Sequence, residues 1–287
     1  PWSKFSGWKP SRQKGNDVAA DSTVKVSILG DASSLKAATR EAESAIGTLG
    51  SKFASVAKLG VLGFGAIGAA AVVGAKPMID AASNLAETVS KTNVMFGDSS
   101  KVIQGWAASA STKFGQSKQQ ALDAASSFAG LGKAAGLQGK ELAGFSTNLT
   151  GLAADLASFS NTTPEEAITA LQAALRGEME PIRKYNVLID DATLRQKALA
   201  LGLTKTTKDA LTPQQKTLAS YMLILDQTKD AQGDFARTSG GLANQQRILS
   251  AQWKDTQATI GAALLPAMTA FVSFLNKDVF PAVQKVI

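Results

Sequence analysis

The sequence predicts a mainly α-helical chain, multi-helix, with a long hydrophobic helix, a long C-terminal helix and at most one or two short strands. Three observations carry this. Alanine supplies 49 of the 287 residues, whereas Phe, Trp and Tyr together supply 18. Alanine forms helix readily and buries little area, so the composition favours long, thinly packed helices over a fat core. Helix-start signals recur along the chain, a Ser, Thr or Asp standing just before an apolar-periodic run. Strict alternation of apolar and polar positions, the strand period, is confined to one short stretch.

Residues 1–17 are polar, basic and aromatic, and read as a disordered leader that is not the natural start. The alternating stretch follows, Thr23-Val24-Lys25-Val26-Ser27-Ile28-Leu29, closed by Gly30. Asp31 is placed to cap an amphipathic helix carrying Leu35, Ala38, Ala42, Ala45, Ile46 and Leu49 on one side, so 18–58 reads as a strand plus a helix. Residues 59–76 read as the hydrophobic helix. Pro77 suits the first turn of a new helix reaching Phe96. Gly97-Asp98 restarts a helix through Trp106 to Phe114. Ser117 caps another, fading over Gly130–Gly139, and a longer one covers Lys140–Phe159.

Thr163-Pro164-Glu165-Glu166 matches a capping box, with Pro at the first helical position and Glu166 at the third. Ile168, Leu171 and Leu175 mark the buried face of that helix, and Gly177–Pro181 breaks it. Tyr185–Ile189 reads as extended. Asp190 or Asp191 caps a helix to Leu201. Thr212-Pro213 starts one whose buried face is Leu218, Tyr221, Met222 and Leu225. From Leu242 the pattern is one long helix past Trp253 and Ile260, bent at Pro266. The organisation is therefore a helical core over 77–235 and a long helix over 236–287 that ends within an apolar run. The chain reads as a fragment of something longer.

Between Lys58 and Lys76 lie seventeen uncharged residues, Leu59 to Ala75. Gly63-Phe64-Gly65-Ala66-Ile67-Gly68 fits the spacing of a dinucleotide-binding loop, with Asp80 downstream. Lys76-Pro77 leaves too little room for the helix and second strand that such a unit needs. Two other readings stand side by side. In one, the segment is a transmembrane helix, with Lys58 and Lys76 reaching the interfaces and the small pairs Gly65/Ala69 and Ala70/Gly74 allowing close helix–helix approach. In the other, the same segment, with Leu59, Gly63, Gly65, Ile67, Gly68, Ala69, Ala70, Val72, Val73 and Gly74, is a buried helix–helix seam inside an oligomer.

The composition removes much chemistry. With no cysteine and no histidine there are no disulfides, zinc thiolates, iron–sulfur ligands, catalytic thiols or serine–histidine triads. The adjacent acids Glu165-Glu166 and Asp190-Asp191 stand at helix N-termini, where they complement the helix dipole; neighbours on a helix diverge, whereas acid–base pairs converge. Thirty basic against 23 acidic residues give +7, with the basic residues scattered. A solvated surface is the expectation, with DNA contact at most transient and non-specific. No catalytic residue, cofactor or metal site is expected, and the chain is not expected to be an enzyme.

Three blocks look familiar. They are Ala81–Gly97; Asp155–Phe159 continuing through Thr163-Pro164-Glu165-Glu166-Ala167, Leu175–Glu178, Glu180–Tyr185 and Leu199–Gly202; and Gln227–Thr238. Together they resemble the core of phage tail tape measure proteins of the TP901 type, over roughly residues 20–270. The resemblance implies a helical structural protein lying in the lumen of a phage tail, in virus or prophage. It would template the tail tube and set its length, with tail-tube protein and assembly chaperones as partners. It also implies self-association as a trimer or small oligomer, synthesis in the bacterial cytoplasm, and a role at the host membrane during genome ejection. Two other classes compete. One is a membrane-active pore or toxin-like helical protein; the other is a tail-associated peptidoglycan hydrolase.

Overall fold

The computed structural model describes residues 67–274 and 276–277. Among these residues the protein is helical with no strand. The helices are α1 (Ile67–Phe96), α2 (Ser100–Ala107), α3 (Ala110–Phe114), α4 (Lys118–Ala134), α5 (Gly139–Phe159), α6 (Pro164–Arg176), α7 (Asp191–Ala200), α8 (Pro213–Gln227), α9 (Asp234–Arg237) and α10 (Leu242–Phe274), with 3₁₀ turns at Gly97–Ser99 and Pro181–Tyr185. The expected strand at 23–29 and the helix capped by Asp31 lie outside the described residues.

Several starts follow local chemistry. The Ser117 hydroxyl accepts from the Gln120 amide while the Gln120 side chain accepts from the Ser117 amide. Asp190 with Thr193 and Thr212 with Gln215 form the same reciprocal pair, each satisfying amides that the first helical turn leaves free. Asp190, not Asp191, is the cap. Thr163 accepts from the Glu166 amide at 3.2 Å, with Pro164 at the first position. In place of the return half, one Glu166 carboxylate oxygen accepts from the Thr163 hydroxyl at 3.4 Å and the other from Lys184. Gly177, at φ 98°, ends α6 in the left-handed conformation that glycine adopts without a Cβ penalty.

α4, α5 and α6 form the centre. Phe128, Leu122, Leu149, Leu156 and Leu171 are fully buried there, with Ala125, Ala153, Ala157 and Ala174 between them. The alanines thus do not thin the packing. They sit where helices cross, and the close approach lets a few large side chains fill one continuous core. α8 departs from its expected face. Ala219, Ser220 and Ile224 are its buried positions, while Leu218, Tyr221, Met222 and Leu225 are half-buried. It is covered on more than one side, with the Tyr221 ring 4.8 Å from that of Phe145 on α5 and with α7 packed against it. Of residues 185–189, expected to be extended, Tyr185 closes a 3₁₀ turn and Asn186 is left-handed (φ 59°), and 187–189 follow without pairing as a strand. The helix expected over 98–114 is two helices, broken at Ala108-Ser109.

The largest correction is at Pro77. It does not begin a helix; it lies inside α1, which runs unbroken from Ile67 to Phe96, and Lys76 pairs with Asp80 one turn on. An interior proline removes one backbone hydrogen bond and costs about 3 kcal/mol, so tertiary packing must offset it. α10 supplies that packing. It forms with α1 the most extensive helix–helix contact among the described residues. The two run antiparallel: Gly261 faces Met78 and Ala82, and Ala258 lies beside Ala81 and Leu85. α10 continues through Pro266 as one helix of 33 residues, about 50 Å long. The other half of α1 joins the centre, where Thr92 on α1 and Ser126 on α4 share a buried hydrogen bond of 3.1 Å.

Candidate functional site

The residues singled out at 59–76 divide at the edge of the described region. Leu59, Gly63 and Gly65 lie outside it. Ile67, Gly68, Ala69, Ala70, Val72, Val73 and Gly74 form the first described turns of α1. Gly68 and Asp80 therefore share one helix, with no second strand between them, which removes the dinucleotide reading from that pair. Among the described residues no helix is long and apolar enough to cross a membrane, so the expected transmembrane helix finds no support there.

Around Thr163 the structure gathers Glu165, Glu166, Glu180, Lys184 and Tyr185 along a surface groove. Each acid there has its own partner. Glu165 accepts from the Gln120 amide group at 2.6 Å, Glu166 from Lys184 at 2.5 Å, and Glu180 pairs with Arg183 at 2.9 Å. The Lys184 ammonium hydrogen-bonded to Glu166 holds that carboxyl below the ordinary carboxylate range. Asp191 likewise turns to Arg195 rather than towards Asp190. These carboxylates diverge, each to its own donor, which suits helix capping and ion pairing, not the shared protonation of an acid–base pair.

The densest polar cluster is one that sequence reading missed, where the end of α5 meets α9 and the start of α10. Asp155 accepts from the Gly233 and Phe235 amides at 2.8 and 3.1 Å, capping α9 from another helix. Burial pushes its carboxyl up, against those two donors and the nearby Arg237. The Ser158 hydroxyl donates to Asp234 at 2.7 Å and accepts from the Asn244 amide at 2.9 Å. Arg247 donates to the Thr162 carbonyl, just past the end of α5, at 2.7 Å, and at 3.4 Å to the Ala157 carbonyl, which also accepts from the Thr162 amide. Asp255 accepts from the Lys118 amide at 2.7 Å and so caps α4 from α10. Its carboxyl too is raised by partial burial. The partners stand 76 to 137 residues apart, so no local pattern announces them. What they do chemically is hold the proximal half of α10 against the centre.

No known family, curated protein or solved structure matches this chain. Two of the blocks that carry the resemblance, 155–159 and 227–238, are joined by the Asp155 and Ser158 hydrogen bonds. Thr162 and Tyr185 likewise join the stretch before α6 to the turn at Pro181–Tyr185, at 3.0 Å. Among the described residues no group of three or more acids is placed to hold a metal ion.

Proposed function

We propose that this chain belongs to a phage tail tape measure protein. Its work is mechanical: it templates tail-tube assembly, sets tail length, and works in the tail lumen with tail-tube protein and assembly chaperones. The observation that carries the reading is α10, 33 consecutive residues of helix across an internal proline, paired beyond its proximal half with the first half of the 30-residue α1. A ruler must convert residue number to length at a fixed rate, and helix does so at about 1.5 Å per residue. The absence of cysteine also suits a part that must leave through a narrow tube, since no disulfide has to open.

The test is an in-frame deletion in the phage gene, with tail length measured by electron microscopy. Tails of wild-type length would sink the ruler role. A part in membrane passage rests on Leu59–Ala75, most of which precedes the residues whose side chains are described. Flotation of the full chain with liposomes tests it, and a chain that stays with the unbound fraction would count against that part alone.

A further inference from the structure

We infer that α10 is a strap: it lifts from the centre, taking the first half of α1 with it, while α4 to α8 stay folded. The makeup of the large apolar core is the reason. Among the described residues its buried members run from Phe96 in α1 to Ala231 after α8, and the half-buried side chains packed on it run from Leu85 to Leu225. α10 contributes to neither set. Up to Pro266 the residues it buries are Asn244, Ala251, Ala258 and Gly261, each small or polar, while Leu242, Leu249 and Trp253 stand 75%, 68% and 56% exposed. Hydrophobic stabilisation scales with the apolar area removed from water, so α10 has much less of it than the central helices. Hydrogen bonds stand in its place. The Asn244 amide donates to the Ser158 hydroxyl at 2.9 Å, Arg247 donates to the Thr162 carbonyl at 2.7 Å, and Asp255 accepts from the Lys118 amide at 2.7 Å. Each is exchanged for a hydrogen bond to water when the surfaces part, at modest net cost, so together they fix where α10 sits more than they resist its leaving.

Both ends of the strap permit this. Gly240 and Gly241, both exposed, join it to α9, and a Cβ on Gly240 would meet nothing within 4 Å. At the other end α10 offsets what Pro77 costs α1, so the turns of α1 before Leu85 open with it. The rest of α1 remains, because Leu85 and Val89 pack on the core and Thr92 is hydrogen-bonded to Ser126. The free energy of opening is then set by this unit alone and lies below that of the whole fold. Lifting uncovers Phe235, which is 2% exposed when α10 is in place. Its ring and the Cβ of Arg247 meet over Gly115, where an added Cβ would stand 2.9 Å from each. α9 itself stays, held by Asp155 of α5. The open form therefore presents Phe235 as an apolar contact on a folded surface. The opening follows from the packing of α10, whatever the chain does in a tail, and tail length has no bearing on it.

Native-state hydrogen exchange of the full chain, at urea concentrations below the unfolding transition, tests the strap. Amides of residues 75–84 and 246–262 are expected to exchange together, at least about 100-fold faster than those of α4, α5 and α6 and with a shallower urea dependence. Hydroxyl-radical footprinting in the same urea series reads the uncovered ring. Modification of Phe235 is expected to rise before the protein unfolds, while Phe128, fully buried in α4, stays protected. α10 amides that exchange only together with those of α4 to α6 would overturn the proposal. So would protection that rises smoothly inward from Leu242, the pattern of an end that frays, or a Phe235 that stays as protected as Phe128 up to the transition.

Discussion

Replacing Gly261 with alanine probes how closely α1 and α10 meet. A Cβ built there would stand 1.7 Å from the Met78 carbonyl oxygen, 2.4 Å from its carbon and 2.9 Å from the Ala82 Cβ. Ordinary contact begins near 3.4 Å, and backbone cannot rotate aside as a side chain can. The helices must therefore separate, and a gap of about 0.5–1 Å already forfeits a quarter to a half of each contact's attraction. Overpacking of this kind costs about 1–3 kcal/mol, against about 0.5–1 kcal/mol gained from alanine's helix propensity. The expected net loss for Gly261→Ala is about 1–2 kcal/mol. Gly105 in α2 is the control: nothing lies within 4 Å of its Cβ position, so Gly105→Ala should gain about 0.5–1 kcal/mol. Urea unfolding followed by circular dichroism reads the sum, and amide hydrogen exchange in α1 and α10 locates the loss. If Gly261→Ala stabilises the protein as Gly105→Ala does, the close crossing is not there.

Three further outcomes follow from the same geometry. Arg247→Ala leaves the Thr162 carbonyl without its Arg247 donor, and should cost about 1–3 kcal/mol, with faster exchange at the start of α10. Thr163→Ala removes the α6 cap and should cost about 1 kcal/mol by chemical denaturation. Lys197 hydrogen-bonded to Asp226 lowers that carboxyl below 3.8, so its contribution is present above the ordinary carboxylate range and is lost as pH falls through the lowered value. Asp226→Asn should therefore be less stable than wild type at pH 7, by about 0.5–1 kcal/mol at this part-exposed site, and the two should converge below pH 3. A constant difference across that range would remove the ion pair as its cause.

What was legible in the sequence was what is decided within one turn. Ser117, Asp190 and Thr212 cap their helices because donor and acceptor lie three residues apart, and Gly177 ends α6 because its backbone must turn left-handed. Features set by distant partners were not legible. Pro77 signals a helix start when read locally, but α10 lies alongside and the helix runs through it. The face of α8 was misread because a helix packed on more than one side has no single apolar stripe to find. Glu166 keeps the Thr163 hydroxyl but adds Lys184, eighteen residues on, which no local pattern announces. The Asp155, Ser158 and Arg247 contacts join positions 76 to 90 residues apart, and no periodicity encodes those pairings.

The claim that this chain measures length is tested most directly by removing part of the measure. Deleting 77–235 in frame from the phage gene and imaging tails should give tubes shorter by up to about 240 Å, at about 1.5 Å per helical residue. Duplicating the same block should lengthen them. Tails of unchanged length in both strains would contradict the account.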